Sequence, residues 1–378
     1  MAERTRRTRR TSRRKNRDIN YTFFVMIMML LAFGLIMVFS ASSPMAHYKD
    51  QGAAYYFKRQ LLFAVFGVAA MMVTASLNYK MWYKLYIVFG VLTLALLFAV
   101  PFIGTVAGGA KRWIKVGPVQ IQPSEIAKIA VVIVMSRLLT DYGYNIDKYF
   151  KGFCLMMLVP AITAVIVLSE HHLSGAIIIV LAGVVLVFVA GAKLSHIILS
   201  GLVVGVPAAA YAVIKEPYRL VRVLNFVNPF NDARGAGYQA VQSLYAIGSG
   251  GLFGVGLGQS REKYLYLPEA HTDFIFSVTC EELGFVGAML VIIMFVILIV
   301  TGYKIAISAP DKFSSLLVTG IITLIALQVI FNIAVVTSAM PCTGITLPFF
   351  SYGGSSLLIN LFEMGIVLNV SRYSGKKI

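Results

Sequence analysis

The stretch YTFFVMIMMLLAFGLIMVFSA, residues 21–41, contains no charged side chain and is long enough to cross a bilayer as a helix. Further runs of mainly apolar residues follow at 60–78, 85–103, 124–140, 152–169, 175–192, 197–214, 274–303, 313–340 and 346–370. The strands of a membrane barrel would alternate in hydrophobicity at every second residue, whereas these runs are apolar all round. The pattern predicts an all-α integral membrane protein with ten transmembrane helices.

The composition of the chain favours a membrane protein over a soluble one. Of the 378 residues, 58% are hydrophobic and 13% are charged, and the mean hydropathy is +0.81. Soluble domains carry about 25% charged residues to cover their surface. The three cysteines, Cys154, Cys280 and Cys342, are far apart and match neither a metal-binding spacing nor a disulfide framework. We therefore expect one membrane domain, residues 21–372, and no separable soluble domain.

Much of the net charge of +17 lies in the segment before Tyr21, where nine basic residues stand against Glu3 and Asp18. Such a tail beside a transmembrane helix is typical of a cytoplasmic segment that binds anionic lipid, and a nucleic-acid-binding arm is the weaker alternative. With this tail, residues 1–20, in the cytoplasm, twenty of the 33 basic residues fall on the cytoplasmic side. Both termini, including the tail 373–378, are then expected inside the cell.

The other thirteen basic residues fall on the outer side, and most of them lie in loops, where membrane topology does not require them. They include Lys111 and Arg112 before the fourth predicted helix, and Arg219 and Arg222 after the seventh. Cations concentrated in outer loops favour an anionic ligand that arrives there. Contact with the headgroups of anionic lipids is the alternative explanation.

Segment 215–272, between the seventh and eighth predicted helices, is too long for a simple connector, because structureless loops rarely exceed about 12–15 residues. It is rich in aromatic residues, unlike a disordered linker. Residues Tyr238 to Ile247 are compatible with a helix, and six glycines follow between Gly248 and Gly258. Glycine permits tight turns and close approach of the backbone. We expect an ordered outer lid, partly helical and partly re-entrant.

The stretch QPSEIAK, residues 122–128, places ionisable groups at the start of a membrane helix. Glu125 and Lys128 are three residues apart, so they share one helical face and can form an ion pair. Charged groups at this depth face the protein interior or a water-filled cavity. A purely structural ion pair that fixes the helix end is the alternative interpretation.

The stretch YLPEAHTDF, residues 266–274, crowds polar groups at the entrance of the eighth predicted helix. Asp273 is the last polar residue before the apolar run, at a membrane boundary where partial burial raises the pKa of a carboxyl group. A raised pKa suits a general base. From residue type alone, however, a helix N-cap is the more common role for an aspartate in this position. His271 could serve as the base instead.

A third stretch, TLPFFSYGGSS at residues 346–356, is rich in small and hydroxyl residues, which favours close helix packing or a broken helix over chemistry. Glu281, Glu282 and Glu363 are expected to pair with neighbouring helices or to line a cavity. The chain carries no motif of a nucleotide-binding enzyme. An enzyme of this kind would therefore take a substrate that is already activated, such as a lipid phosphate.

Four motifs together resemble the SEDS family (shape, elongation, division and sporulation). They are GGAKRWIKVGPVQIQPSEIAK (108–128), NPFNDARGAGYQAVQSLYAIGSGGLFGVGLGQS (228–260), YLPEAHTDFIF (266–276) and GITLPFFSYGGSS (344–356). The last two are most similar to the FtsW and SpoVE branch, with RodA as the nearer competitor. The resemblance implies a ten-helix peptidoglycan glycosyltransferase of the bacterial cytoplasmic membrane. Such an enzyme polymerises lipid II on a lipid-linked glycan beside a class B penicillin-binding protein, in cell division or sporulation.

The resemblance also implies roles for residues of this chain. The essential aspartate of the family corresponds to Asp273, which shifts the interpretation of that residue from a cap to a general base. The candidate residues for the cavity and substrate are Glu125, Lys128, Lys111, Arg112, Trp113, Arg219, Arg222, Gln242, Glu269, His271 and Ser351. A divalent cation, Mg²⁺ or Mn²⁺, is compatible with this chemistry and would use Asp273 as a ligand.

One departure from the family pattern lies between the fifth and sixth predicted helices. Many members carry a PDLGT-like motif there, whereas this chain has EHHLSG, residues 170–175. The sequence assigns no role to His171 and His172.

Two other functions remain open at this point, a lipid II flippase and a non-catalytic scaffold for the transpeptidase. A transporter commonly has two pseudo-symmetric halves, and inspection of the sequence reveals none.

Overall fold

The computed structural model describes residues 19–107, 110–117 and 119–374, so most of the two predicted tails lies outside the described residues. The described chain is mostly helical, as predicted. Its α-helices are Tyr21–Tyr48 (α1), Tyr55–Ser76 (α2), Lys80–Ile103 (α3), Pro123–Asp141 (α4), Leu155–Ser169 (α5), Leu173–Val189 (α6), Leu194–Ser200 (α7), Val206–Ile214 (α8), Pro217–Val227 (α9), Tyr238–Ser249 (α10), Ile275–Ile307 (α11), Lys312–Val336 (α12) and Gly354–Ser371 (α13). A π-helical turn, Tyr149–Cys154, precedes α5, and another, Gly201–Gly205, joins α7 to α8.

Eight helical stretches of the described chain are long and apolar enough to cross a membrane. Six of them are α1, α2, α3, α11, α12 and α13, and the other two, Tyr149–Ser169 and Leu194–Ile214, include the π-helical turns. Helix α6 is apolar but has 17 residues, and α4 contains several charged side chains. Each of the ten predicted runs therefore contains a helix, while the count of ten membrane spans stays a prediction.

Helices α12 and α13 form the centre of the bundle, and most of their residues are buried. Helix α13 packs closely along α2, because Gly365 leaves room for the backbone at Met71 and the side chain of Thr74. In contrast, α7 and α8 contain no buried residue. The span that they form with the π-helical turn between them therefore stands at the edge of the bundle.

A small antiparallel sheet lies between α3 and α4, which the sequence analysis treated only as a charged loop. Its strands are Thr105–Ala107 (β1), Ala110–Val116 (β2) and Val119–Ile121 (β3), in the order β1-β2-β3. The pairings include Thr105 with Trp113 and Ile114 with Ile121. Strands of three to seven residues leave too weak an alternation to be recognised beside long apolar helices. The sheet delivers the chain to Pro123, the first residue of α4.

The segment 215–272, named here the lid, is ordered at the end of the bundle where α11 begins. It contains α9 and α10, followed by a glycine-rich loop that packs against α11. Gly284 adopts a φ of +66° and interrupts the helical backbone of α11. Backbone groups that lose their helical hydrogen bonds at this interruption pair with the loop instead. Phe285 N–H donates to the Gly251 carbonyl at 2.9 Å, and Val255 N–H donates to the Glu281 carbonyl at 3.0 Å.

Two buried carboxylates of α11, Glu281 and Glu282, bind this loop, and Glu282 also pairs with the neighbouring helix α1, as expected from the sequence. Lys263 Nζ lies 2.8 Å from Glu282 Oε1, with both side chains almost completely enclosed. Ser40 Oγ of α1 donates to the same carboxylate at 2.6 Å. Glu281 accepts hydrogen bonds from the Ser260 hydroxyl and from the Arg261 backbone N–H. The loop is therefore attached to the bundle by charged groups as well as by its backbone.

Candidate active site at the end of the helical bundle

Asp273 lies in a tight turn just before α11 and does not cap that helix. Phe274 occupies the N-cap position, and no side chain accepts a cap hydrogen bond there. The turn is closed by the carbonyl of Glu269, which accepts from the backbone N–H groups of Thr272 at 3.1 Å and Phe274 at 3.2 Å. Glu269 has a φ of +55°. Its backbone conformation therefore belongs to the left-handed region that non-glycine residues seldom adopt.

The residues before α13 hold this turn from behind. Asn332 of α12 donates from Nδ2 to the carbonyl oxygens of Asp273 at 2.8 Å and Ile345 at 2.7 Å. Ser351 Oγ donates to the Thr272 carbonyl at 2.6 Å, and Tyr352 N–H donates to the His271 carbonyl at 2.9 Å. The third stretch of the sequence analysis thus has a structural role, as expected. It fixes the backbone on which Asp273 is mounted.

The Asp273 side chain lines a cavity of about 640 Å³ at this end of the bundle. The walls come from β2, the turn between α5 and α6, α9, α10, the turn before α11 and the segment 341–344. The lining residues are Arg112, His171, His172, Leu173, Ser174, Val213, Arg219, Arg222, Val223, Gln239, Pro268, Glu269, Asp273, Phe274, Pro341, Cys342, Thr343 and Gly344. Five of the residues predicted from sequence, all charged, meet here: Arg112, Arg219, Arg222, Glu269 and Asp273.

Backbone carbonyl groups orient the three arginines of the cavity. Arg112 donates to the carbonyl oxygens of Glu170 at 3.3 Å and His171 at 2.6 Å. Arg219 donates to the Ala212 carbonyl, and Arg222 donates to the Cys342 carbonyl, each at 2.9 Å. The three guanidinium groups place positive charge on the walls of the cavity, which favours an anionic ligand.

The environment of Asp273 raises the pKa of its carboxyl group to about 7. The main cause is burial, which disfavours the charged carboxylate, and the negative charge of Glu269 adds to it. Arg222 and Arg112 act in the opposite direction. A carboxyl group with a pKa near neutrality can accept a proton and release it again, as a general base must.

The other seven predicted site residues do not line this cavity. Lys111 is exposed and donates to the Pro101 carbonyl, whereas Trp113 and Gln242 are partly buried elsewhere. His271 is buried against Tyr56 and Tyr352, with ring centroids at 4.8 and 5.7 Å, and burial lowers its pKa. Ser351 is buried below the turn. The geometry therefore favours Asp273 over His271 as the base.

Glu125 and Lys128 form the ion pair that their spacing predicted, with Glu125 Oε1 2.8 Å from Lys128 Nζ. Both side chains are buried and neither lines the cavity. The charges of this pair act on Glu363 of α13, which is also buried. One carboxylate oxygen, Oε2, of Glu125 and of Glu363 has no hydrogen-bond partner among the described residues. The pair thus belongs to a buried polar group inside the bundle.

Comparison with known proteins identifies the family of this chain. The family model described as "Cell cycle protein", which covers FtsW, RodA and SpoVE, matches residues 21–376. The chain belongs to this family. It is 44% identical over 353 residues to stage V sporulation protein E of Bacillus subtilis (strain 168), covering 93% of this chain and 96% of that protein. It is 42% identical over 349 residues to a protein of Trichlorobacter lovleyi named "Probable peptidoglycan glycosyltransferase FtsW", covering 92% and 91% of the two chains.

Solved structures with the same fold agree with this family assignment. A chain from a peptidoglycan synthase complex superposes with a TM-score of 0.81 at 27% identity, covering 95% of this chain and 99% of that one. Thermus thermophilus rod shape determining protein RodA superposes with a TM-score of 0.69 at 26% identity, covering 95% and 98%.

The turn between α5 and α6 contributes cavity residues to which the sequence assigned no role. His171 and His172 both line the cavity, and His172 Nδ1 lies 3.0 Å from Ser124 Oγ. Glu170 is buried beside them without a hydrogen-bond partner for either carboxylate oxygen among the described residues, and burial raises its pKa to about 7. The available signal was the departure from the PDLGT-like motif, which marks this turn as distinct from that of other family members.

A divalent cation has few protein ligands at this site. Among the described residues, no group of three or more histidine, cysteine, aspartate or glutamate side chains could hold a metal ion. Asp273 and Glu269 are the carboxylates that line the cavity. Mg²⁺ often binds through one or two carboxylates together with substrate phosphates. A metal ion at this site would therefore need both Asp273 and a phosphate of the substrate as its ligands.

Proposed function

We propose that this chain is a peptidoglycan glycosyltransferase that polymerises lipid II, with Asp273 as the general base. The observation that carries the proposal is the position of one carboxyl group, with a pKa of about 7, in a cavity that also presents Arg112, Arg219 and Arg222. A base beside several cations suits a reaction in which a hydroxyl loses a proton while a diphosphate departs. Relatives that cover most of the chain carry the name of this activity.

In the proposed reaction, Asp273 takes the proton from the 4-hydroxyl group of the GlcNAc of lipid II. The hydroxyl oxygen forms a bond to the anomeric carbon of the lipid-linked glycan, and configuration at that carbon inverts. The bond between the anomeric carbon and the diphosphate oxygen breaks, and its electron pair leaves with the lipid diphosphate. The arginines of the cavity stabilise the negative charge that develops on this leaving group. If Mg²⁺ or Mn²⁺ binds, Asp273 would hold it, and the ion would help to neutralise the charge of the departing diphosphate.

The distribution of basic residues supports an active site on the outer face of the bacterial cytoplasmic membrane. The cavity lies at the end of the bundle opposite the start of α1. The basic tail before α1 and the excess of positive charge on its side support a cytoplasmic location of that side. The lid and the cavity then face outward, and both termini lie in the cytoplasm.

The proposed partner is a class B penicillin-binding protein that cross-links the new strands. A solved structure similar to this chain comes from a peptidoglycan synthase complex described as coordinating polymerisation and cross-linking. The relatives named SpoVE and FtsW support a role in sporulation or cell division. The substrates are lipid II and the growing lipid-linked glycan.

The decisive experiment compares the wild-type protein with Asp273→Asn in a reconstituted assay with purified lipid II. Wild type should form glycan strands that are insensitive to moenomycin, whereas the Asn variant should form none, because an amide cannot accept the proton. Folding is checked by size-exclusion chromatography and thermal unfolding, which should match wild type. An active Asn variant would remove Asp273 from the mechanism. Translocation of lipid II by the wild type without polymer would support a flippase. If the wild type shows neither translocation nor polymerisation, the result would support a non-catalytic scaffold.

A further inference from the structure

His172 presents a polar edge to the cavity that the proposed mechanism has not used. It occupies the N-cap position of α6, and its Nδ1 atom lies 3.0 Å from Ser124 Oγ and 3.3 Å from Gln122 Nε2. The Gln122 amide turns its nitrogen toward Nδ1, and because an amide nitrogen only donates hydrogen bonds, this orientation favours Nδ1 as the accepting nitrogen. In the neutral ring the proton then resides on Nε2. The start of α4 thereby selects the tautomer of a cavity residue.

The surroundings of His172 keep its imidazole neutral. The side chain is 9% exposed, and its pKa is lowered to about 3, mainly by burial and further by the positive charges of Arg112 and Lys128. At physiological pH the ring therefore offers one donor, the Nε2–H group, and carries no charge of its own.

The ring is also fixed in position. A Cβ atom at Gly175 would lie 2.7 Å from Nδ1 and 2.8 Å from Cε1 of His172, so the imidazole fills the space above that glycine. Among the described residues, no hydrogen bond to Nε2 accompanies the two at Nδ1. Because His172 lines the cavity, this donor is available to a ligand.

We propose that the Nε2–H group of His172 donates a hydrogen bond to a phosphate oxygen of a lipid diphosphate, in a subsite shared with Arg112. The proposal rests on the proposed function, which places two lipid diphosphates in or near this cavity. A phosphate oxygen is favoured over a neutral sugar oxygen because the positive charges of Arg112 and Lys128 both act on the His172 ring.

The first test measures binding of undecaprenyl diphosphate to the full-length protein in nanodiscs, without an acceptor. Replacing His172 with Phe removes the donor, and we expect the dissociation constant to rise about tenfold or more, the usual loss for a hydrogen bond to a charged group. Replacing it with Gln places an amide N–H near the position of Nε2, and affinity should stay within about threefold of wild type. His196→Phe is the matched control, because His196 contacts Tyr149 and Phe153 at the other end of the bundle.

The ligand series identifies which part of the lipid is recognised. Undecaprenol has no phosphate, so its weaker binding should be the same in wild type and in His172→Phe. If His172→Phe binds undecaprenyl diphosphate as tightly as wild type, or loses affinity for undecaprenol to the same extent, the assignment is wrong. Failure of polymerisation by the wild type would count against the proposed function and leave this binding test interpretable.

A second measurement remains informative if the Phe variant does not fold. Nitrogen-15 spectra of histidine-labelled wild type, with His172→Gln for assignment, should show a neutral Nε2–H tautomer at both pH 6 and pH 8. Its Nε2 signal should shift when farnesyl diphosphate is added. An Nδ1–H tautomer, an imidazolium at pH 6, or an unchanged signal in the ligand-bound protein would each overturn the proposal. Gly175→Ala should displace the ring and weaken diphosphate binding while the imidazole itself is retained.

Discussion

The raised pKa of Asp273 predicts a pH dependence that an ordinary aspartate would not produce. Only the ionised carboxylate can accept a proton, so kcat/KM for polymerisation should follow the ionised fraction of this group in the free enzyme. With a pKa of about 7, roughly one tenth of Asp273 is ionised at pH 6 and roughly nine tenths at pH 8. The rate should therefore fall about eight- to tenfold between pH 8 and pH 6. An aspartate near its usual pKa would leave the rate unchanged over this range.

The charges around Asp273 give the direction in which two variants should move the midpoint. Glu269→Gln removes a negative charge that raises the pKa, so the midpoint should move to lower pH. Arg222→Gln removes a positive charge that lowers the pKa, so the midpoint should move to higher pH. Both shifts should be smaller than the effect of burial, which is the largest cause and which neither variant changes.

The assay is the initial rate of glycan formation at limiting lipid II in detergent, at half-unit steps from pH 5.5 to 8.5. A moenomycin-sensitive polymerase assayed with the same substrate controls for effects of pH on lipid II itself. A flat wild-type profile between pH 6 and 8 would refute the assignment of a near-neutral base. Midpoint shifts of the same sign in Glu269→Gln and Arg222→Gln would refute the electrostatic explanation.

Three further predictions concern charged groups away from the cavity. Lys263→Met should lower stability by about 3–5 kcal/mol in thermal unfolding, because Glu282 stays buried without its partner. Adding Glu282→Gln should recover part of the loss, and an unchanged melting temperature in the single variant would contradict this explanation. Glu125→Gln and Lys128→Met should each reduce protein yield and activity, whereas the double variant should restore the yield; restored activity as well would make the pair purely structural. Deleting residues 2–17 should leave polymerisation near wild type, since about 30 Å of hydrocarbon separates the tail from the cavity; loss of polymerisation would show that the sides of the membrane are assigned wrongly.

Long apolar runs were sufficient to predict the helices of the bundle, because a bilayer imposes a minimum length and excludes charge. The same reasoning identified the ion pair between Glu125 and Lys128 from their spacing on one helical face. It did not detect the sheet β1–β3, whose strands are short and whose pairing is decided by contacts with each other. Nor did it distinguish the roles of Glu281 and Glu282, which depend on where the glycine-rich loop of the lid folds back.

The sequence by itself determined the class of the protein and the positions of its apolar helices, and its motifs marked Asp273 as a candidate base, since hydrophobicity, charge and motif are local properties of the chain. Only the tertiary structure decided that Asp273 is not a helix cap and that His271 points away from the cavity. It also decided that Arg112, Arg222 and Asp273 meet, although β2, α9 and α11 are far apart in the chain. The physical reason is that a pKa, a cavity and an electrostatic field arise from groups distant in sequence, and their effect depends on burial and distance that no local pattern encodes.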